Sequence, residues 1–321
     1  MIPIVVVIDS GIDSTIVKNE TIDVLHKGKD DKCGHGTACA MAIRAMDPDV
    51  SILSIPILDD NAGASSDELE NALKFCCGLD CNIINLSLSV SHLHSENLKR
   101  ICGELRRQGK IIVSSVTNRK YTSVPASYDT VLGVRGKVFS SSYTYWFNAR
   151  EKIQLITDMT PIFTDFRLKR YFMFSGNSKA AAIASGLIAS YFSNGLVEDI
   201  EELFQCMEQK CEKNNWGKIT LESQMGNILV PSILTGKELE NIRKMIYPLL
   251  KRHITSEQDF SDDDILFNVG IITEKTLCEL FEALSNLFNV EINLQNLTPR
   301  DIVSINNLSI AIKRICNEQG K

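Results

Sequence analysis

The chain has 321 residues and a mass of 35.8 kDa; 44% of the residues are hydrophobic and 23% are charged. That ordinary composition excludes collagen-like, low-complexity and disordered classes, and no apolar run reaches the roughly 18 residues a membrane helix requires. With 34 Lys and Arg against 40 Asp and Glu, the net charge is −6, which argues against a general nucleic-acid binder or a binder of anionic membranes.

The first residues, Met1-Ile2-Pro3-Ile4, carry no basic stretch, and Val5-Val6-Val7-Ile8 stops at Asp9, too short for a signal-peptide core. A leaderless chain is expected in the cytoplasm, where disulfides rarely persist. The ten cysteines, at 33, 39, 76, 77, 81, 102, 206, 211, 278 and 316, are therefore expected as thiols. None forms a C-x-x-C, and the five histidines do not fall beside them in zinc-ligand patterns. Most read as small buried hydrophobes, and no metal or cofactor is expected.

Over the first two hundred or so residues, short runs rich in Ile, Val and Leu alternate with helix-length segments. Strands are predicted at 4–8, 51–58, 82–88, 111–115 and 130–134; their lack of strict alternation suits strands buried on both faces. Helices are predicted at 66–77 and 95–108, the first with Leu69, Leu73 and Cys76 on one face. This order implies an α/β fold, a parallel sheet flanked by helices.

A boundary is predicted near residue 232. Pro231-Ser232 ends one unit, and Thr235-Gly236-Lys237-Glu238 reads as a capping box opening a helix. An acidic loop over 256–264 follows, and then an almost wholly helical tail. Leu277, Leu280, Phe281, Leu284 and Phe288 form one stripe, and Ile305, Leu308, Ile312 and Ile315 another. Two domains are expected, 1–232 and 236–318, the second a small all-α bundle of four helices.

Three segments carry chemistry. Val6-Val7-Ile8-Asp9-Ser10-Gly11 sets a carboxylate at the C-terminal end of a buried strand, where α/β sheets place functional groups. Gly34-His35-Gly36-Thr37 sets an imidazole at a helix start between glycines, and Ser175-Gly176-Asn177-Ser178-Lys179-Ala180-Ala181 sets a hydroxyl near the positive end of a helix dipole. Asp9, His35 and Ser178 are the parts of an activated hydroxyl nucleophile. The His accepts the proton, and the Asp fixes the imidazole tautomer and stabilises the imidazolium.

The order Asp, His, Ser and these motifs resemble the subtilisin-like serine peptidases over roughly residues 3–230. The resemblance implies a subtilisin-like fold and an endopeptidase whose catalytic residues are Asp9, His35 and Ser178. Ile111-Ile112-Val113-Ser114-Ser115-Val116-Thr117-Asn118 is similar to the strand that ends in the family's oxyanion-hole Asn, so Asn118 takes that role. Ile84-Asn85-Leu86-Ser87-Leu88-Ser89 resembles the strand that pairs with extended substrate. Substrate binding is thus expected at Ser87, Leu88, Ser89, Thr117 and Arg119.

Departures from the family pattern are informative. Ser89 and Thr117 stand where glycines are usual, and Arg119 and Lys120 follow Asn118; together they predict a small, polar or acidic P1 residue. Ala38 replaces a His, Asn177 a Thr, Lys179 a Met and Ala182 a Pro. Neither a propeptide nor a calcium requirement is expected.

The tail resembles acyl- and peptidyl-carrier proteins, on Leu266-Phe267-Asn268-Val269-Gly270-Ile271-Ile272, Phe288-Asn289-Val290-Glu291-Ile292 and Leu297-Thr298-Pro299-Arg300-Asp301. Carriers hold phosphopantetheine on the Ser of an Asp-Ser pair; here Thr273 and Glu274 occupy those places, which implies an unmodified docking domain for a protein partner. The expected function is selective removal of a leader from a ribosomally made precursor peptide, with no nucleic-acid or membrane partner. The alternatives left open are a general intracellular protease and a catalytically weak, peptide-binding pseudoprotease.

Overall fold

Runs of Ile and Val with both faces buried need neighbours on both edges and a layer on each side. In the computed structural model they form the centre of an eight-stranded sheet. The structure describes residues 2–31, 33–88, 95–117, 123–166, 170–216, 237–252, 260, 264–267, 270–273, 275–293 and 296–320, with backbone alone over 163–166 and 170–172. In chain order the first elements are β1 (Ile4–Asp9), β2 (Glu20–Thr21), α1 (His35–Met46), β3 (Ser51–Pro56), α2 (Ser66–Cys76), β4 (Ile83–Leu86), α3 (Glu96–Arg107) and β5 (Ile111–Ser115). There follow β6 (Leu132–Lys137), β7 (Trp146–Phe147), β8 (Leu155–Asp158), β9 (Ile162–Phe166), β10 (Arg170–Phe174), α4 (Gly176–Ser193) and α5 (Ile200–Lys210).

The sheet order is β2-β3-β1-β4-β5-β6-β8-β7. Every neighbouring pair is parallel except β7 with β8. This is the mostly parallel, helix-flanked α/β architecture of the sequence expectation, and the five predicted strands are its centre. The predicted 130–134 strand starts two residues later, at Leu132. The short β2 and β7, with two residues each, carry too little pattern to be read.

Alternation along the strands divides the core. Val6, Ile8, Ile55, Ile84, Leu86 and Ile112 pack with Leu69, Leu73, Leu98, Ile101 and Leu105 of α2 and α3 on one face. On the other, α1 and α4 pack against each other and the sheet. α4 is buried nearly all round, from Ala180 to Ala189. Such a helix is held by tertiary packing rather than amphipathicity. α2 opens on a capping box between Ser65 and Glu68, and α3 on Ser95, whose hydroxyl accepts from Leu98 N.

The chain divides into two compact units: 1–159 with 174–226, and 160–173 with 227–321. The second therefore takes in most of the two-stranded β9–β10 sheet, which lies within the first domain of the sequence expectation. Beyond these two strands its described helices are α6 (Lys237–Lys251), α7 (Leu277–Phe288) and α8 (Ile305–Glu318). The stripes Leu277, Leu280, Phe281, Leu284 and Ile305, Leu308, Ile312, Ile315 are buried, while Phe288 is half-buried. Three helices are thus described where four were expected. Among the described residues, no helix is long and apolar enough to cross a membrane.

Candidate active site

β1 ends at Asp9, fully buried, at the C-terminal edge of the parallel sheet. One carboxylate oxygen, Oδ1, accepts from the Ser10 backbone N–H and from His35 Nδ1, both at 2.8 Å. The other, Oδ2, faces the Cys39 thiol at 3.7 Å. His35 is the first residue of α1, reached through Gly34 at φ +83°, a backbone conformation that L side chains rarely adopt. Its side chain is 21% exposed and meets the Phe174 ring edge-on at 5.4 Å.

The start of α1 is held by a residue that sequence reasoning missed. Asp31 is fully buried, and its carboxylate accepts from Ser10 Oγ, Gly34 N, Thr37 N and Thr37 Oγ1. Ser10 Oγ in turn accepts from Gly36 N at 2.9 Å. An anion at the orphan N–H groups of a helix start is favourable, and here it locks α1 to the turn after β1. The available signal was an acidic residue within one turn before a Gly-flanked helix start.

Ser178 lies in the first turn of α4, half-buried. It forms a reciprocal pair with Ser87, just beyond β4: Ser178 Oγ donates to Ser87 O at 3.0 Å, and Ser87 Oγ donates to Ser178 O at 2.9 Å. His35 and Ser178 line one cavity of about 360 Å³ with Ser87 and Leu88, and Ile57, Leu58 and Leu69 make its apolar wall. The structure therefore brings together Asp9, His35, Ser178, Ser87 and Leu88. Thr117 stands off this cavity's lining; its carbonyl accepts from Asn177 Nδ2 at 3.2 Å and its N–H donates to Ser123 Oγ at 3.1 Å. Ser89, Asn118 and Arg119 lie outside the described residues.

Burial is the largest single influence on His35 and works against its charge. The Asp9 carboxylate, Cys39 and the ring's hydrogen bonds to both outweigh it, so the imidazole is held well above its ordinary value of 6.5. Burial first, and then the Asp9 charge, push the Cys39 thiol up to about 11, so it stays a protonated donor. All ten cysteines are free. Among the described residues, Asp9, His35 and Cys39 form a group close enough to hold a metal ion, with ligand atoms within 4.8 Å of one another. A metal there would have to displace the 2.8 Å Asp9–His35 hydrogen bond.

A general base must be neutral, so if His35 serves as one, the activity it supports would be weak near pH 6.5 and rise on the alkaline side. The pH dependence of kcat/KM measures this, and a plateau already reached below pH 6.5 contradicts it. The effect on stability has the opposite sign. Protonated His35 stabilises the fold fully below its unfolded pKa, and that contribution is lost as pH rises through the raised folded value.

The sequence model of the Subtilase family matches residues 3–196. The thermophilic serine proteinase of Bacillus sp. (strain AK1) is 26% identical over 176 residues, 54% of this chain and 43% of that protein. The major intracellular serine protease of Bacillus subtilis (strain 168) is 26% identical over 213 residues, 58% of this chain and 66% of that protein. The chain thus spans less than two thirds of the length of either relative. The crystal structure of a cold adapted subtilisin-like serine proteinase matches with a TM-score of 0.56 at 17% identity, over 67% of this chain and 84% of that one. That likeness shows the fold.

Proposed function

The chain belongs to the subtilase family, and on that premise we propose that it is a serine endopeptidase working through Asp9, His35 and Ser178. The observation that carries the proposal is the buried Asp9 carboxylate bonded to His35 Nδ1 at 2.8 Å, with the ring facing the cavity that holds Ser178. A peptide laid beside Ser87 and Leu88 displaces the Ser178 hydroxyl from Ser87 O, and the hydroxyl turns to the imidazole. His35 takes the Oγ proton as Oγ attacks the carbonyl carbon. The carbonyl oxygen becomes an oxyanion, which the Ser178 N–H and the Asn118 amide are assigned to stabilise. His35 then returns the proton to the leaving amine, and water hydrolyses the acyl-enzyme by the same relay.

Selective removal of a leader from a precursor peptide is the finer part of the proposal, supported by the separate helical unit after the peptidase region. That unit is read as a carrier-like docking domain for a protein partner, with Thr273 in place of the first residue of the carrier pair. A cytoplasmic setting is supported by the ten free thiols. The printed name of the Bacillus subtilis relative favours a second reading, a general intracellular protease. Mass spectrometry after incubation with leader-bearing precursor peptides and with casein separates the two. We expect one cut per precursor, after a small, polar or acidic residue, with casein left intact. Broad casein digestion favours the second reading, and cutting best after Phe or Leu contradicts the P1 assignment.

A further inference from the structure

Lys179 follows Ser178 directly and is 1% exposed, in a helix whose next residues are alanines. A cation in the first turn of a helix opposes the macrodipole, and its burial is costly unless it is paired. Its ammonium meets Asp158 Oδ2 at 2.8 Å, with Asp158 itself fully buried at the end of β8. The same carboxylate accepts from Phe139 N at 3.2 Å and Ser142 Oγ at 2.9 Å, so it is fixed from the segment after β6 as well. One residue earlier on β8, Thr157 Oγ1 donates to Ala180 O at 2.7 Å.

The first turn of α4 therefore takes directional bonds from three strands. Ser87, beyond β4, holds the Ser178 backbone; Gly136 N on β6 donates to Asn177 Oδ1 at 2.8 Å; and β8 holds Lys179 and Ala180. The N-cap residue Ser175 makes no side-chain cap bond that could orient the turn instead. A well-packed apolar pair is often as stable as a buried ion pair, or more so, so stability alone does not account for the charges. What the ion pair adds is a fixed direction for the backbone immediately after Ser178.

We propose that Lys179 and Asp158 are positioning residues that set the rotation of the α4 first turn and thereby keep Ser178 at the cavity that His35 also lines. This rests on the reading of Ser178 as the nucleophile. Removing one partner takes the ion pair away from a buried charge. Neutralising both as Asp158→Asn with Lys179→Met keeps an acceptor for Phe139 N and fills the lysine volume, yet removes the ion pair's hold on the turn.

The test is saturable labelling of the full chain by a fluorophosphonate probe, which separates the inactivation rate constant kinact from the affinity KI, together with thermal melts. The double variant is expected to melt within a few degrees of the wild type, with kinact lowered about tenfold to a hundredfold and KI unchanged. Each single variant is expected to melt lower than the double. A double variant with wild-type kinact overturns the proposal. So does one that does not fold, since the pair would then be needed for stability rather than positioning. Failure of the nucleophile reading is seen separately, as a wild type that does not label or a Ser178→Ala variant that does.

Discussion

Replacing Asp9 by Ala lowers kcat/KM for peptide hydrolysis by about four orders of magnitude, the scale set by loss of the acid in an Asp–His–Ser relay. The carboxylate does two things for His35: Oδ1 holds the Nδ1 proton, and its charge stabilises the imidazolium. Alanine removes both. Asp9→Asn separates them, because the Ser10 N–H also donates to Oδ1 and keeps an oxygen there. The asparagine oxygen then still faces Nδ1, so the tautomer survives while the charge is lost. Asn is therefore expected to lose less than Ala. Its pH profile should move to lower pH, since the Asp9 charge is the first of the influences raising the imidazole. Steady-state rates across pH for both variants measure this, and an Asn variant as slow as Ala, with an unmoved profile, contradicts it.

Gly36→Ala is expected to destabilise the fold by about 1–3 kcal/mol or more and to lower activity about a hundredfold. A Cβ at Gly36 would stand 2.1 Å from the Gly11 carbonyl oxygen and 3.2 Å from Asp9 Cβ. The first obstacle is backbone in the turn after β1, so no side-chain rotation relieves the clash. The first turn of α1 must move away from the end of β1, stretching the Asp9–His35 bond and the Gly36 N to Ser10 Oγ bond together. Urea unfolding and kcat/KM measure the two losses. A variant with the wild-type midpoint and rate contradicts the close approach.

These two variants touch the parts of the site that local sequence made legible. The end of β1 could be read because Val5 to Ile8 are buried on both faces, and because a carboxylate after such a run is conspicuous. His35 and Ser178 could be read because glycines and alanines around them mark helices that approach other backbone closely. What escaped was the non-local polar wiring. Asp31 holds α1 through five donor contacts, but an acidic residue in a polar loop has no periodic signal.

Lys179 is conspicuous as a charge beside the proposed nucleophile, yet its partner Asp158 ends a strand, β8, that the sequence pattern does not predict. Ion pairing across tertiary structure leaves no trace in spacing. The apolar wall of the cavity likewise draws Ile57, Leu58 and Leu69 from segments read only as core. The roles given to Ser89, Asn118 and Arg119 rest on resemblance alone, and the carrier-like reading of the tail rests on its motifs.

The central claim is that Ser178 is a nucleophile activated by the Asp9–His35 pair. The most direct measurement is fluorophosphonate labelling of the full chain, followed by peptide mapping of the adduct by mass spectrometry. The account predicts a single adduct on Ser178 that forms faster as pH rises above the His35 pKa and is absent in Ser178→Ala. An adduct on another residue, or a folded wild type that takes no label at alkaline pH, contradicts it.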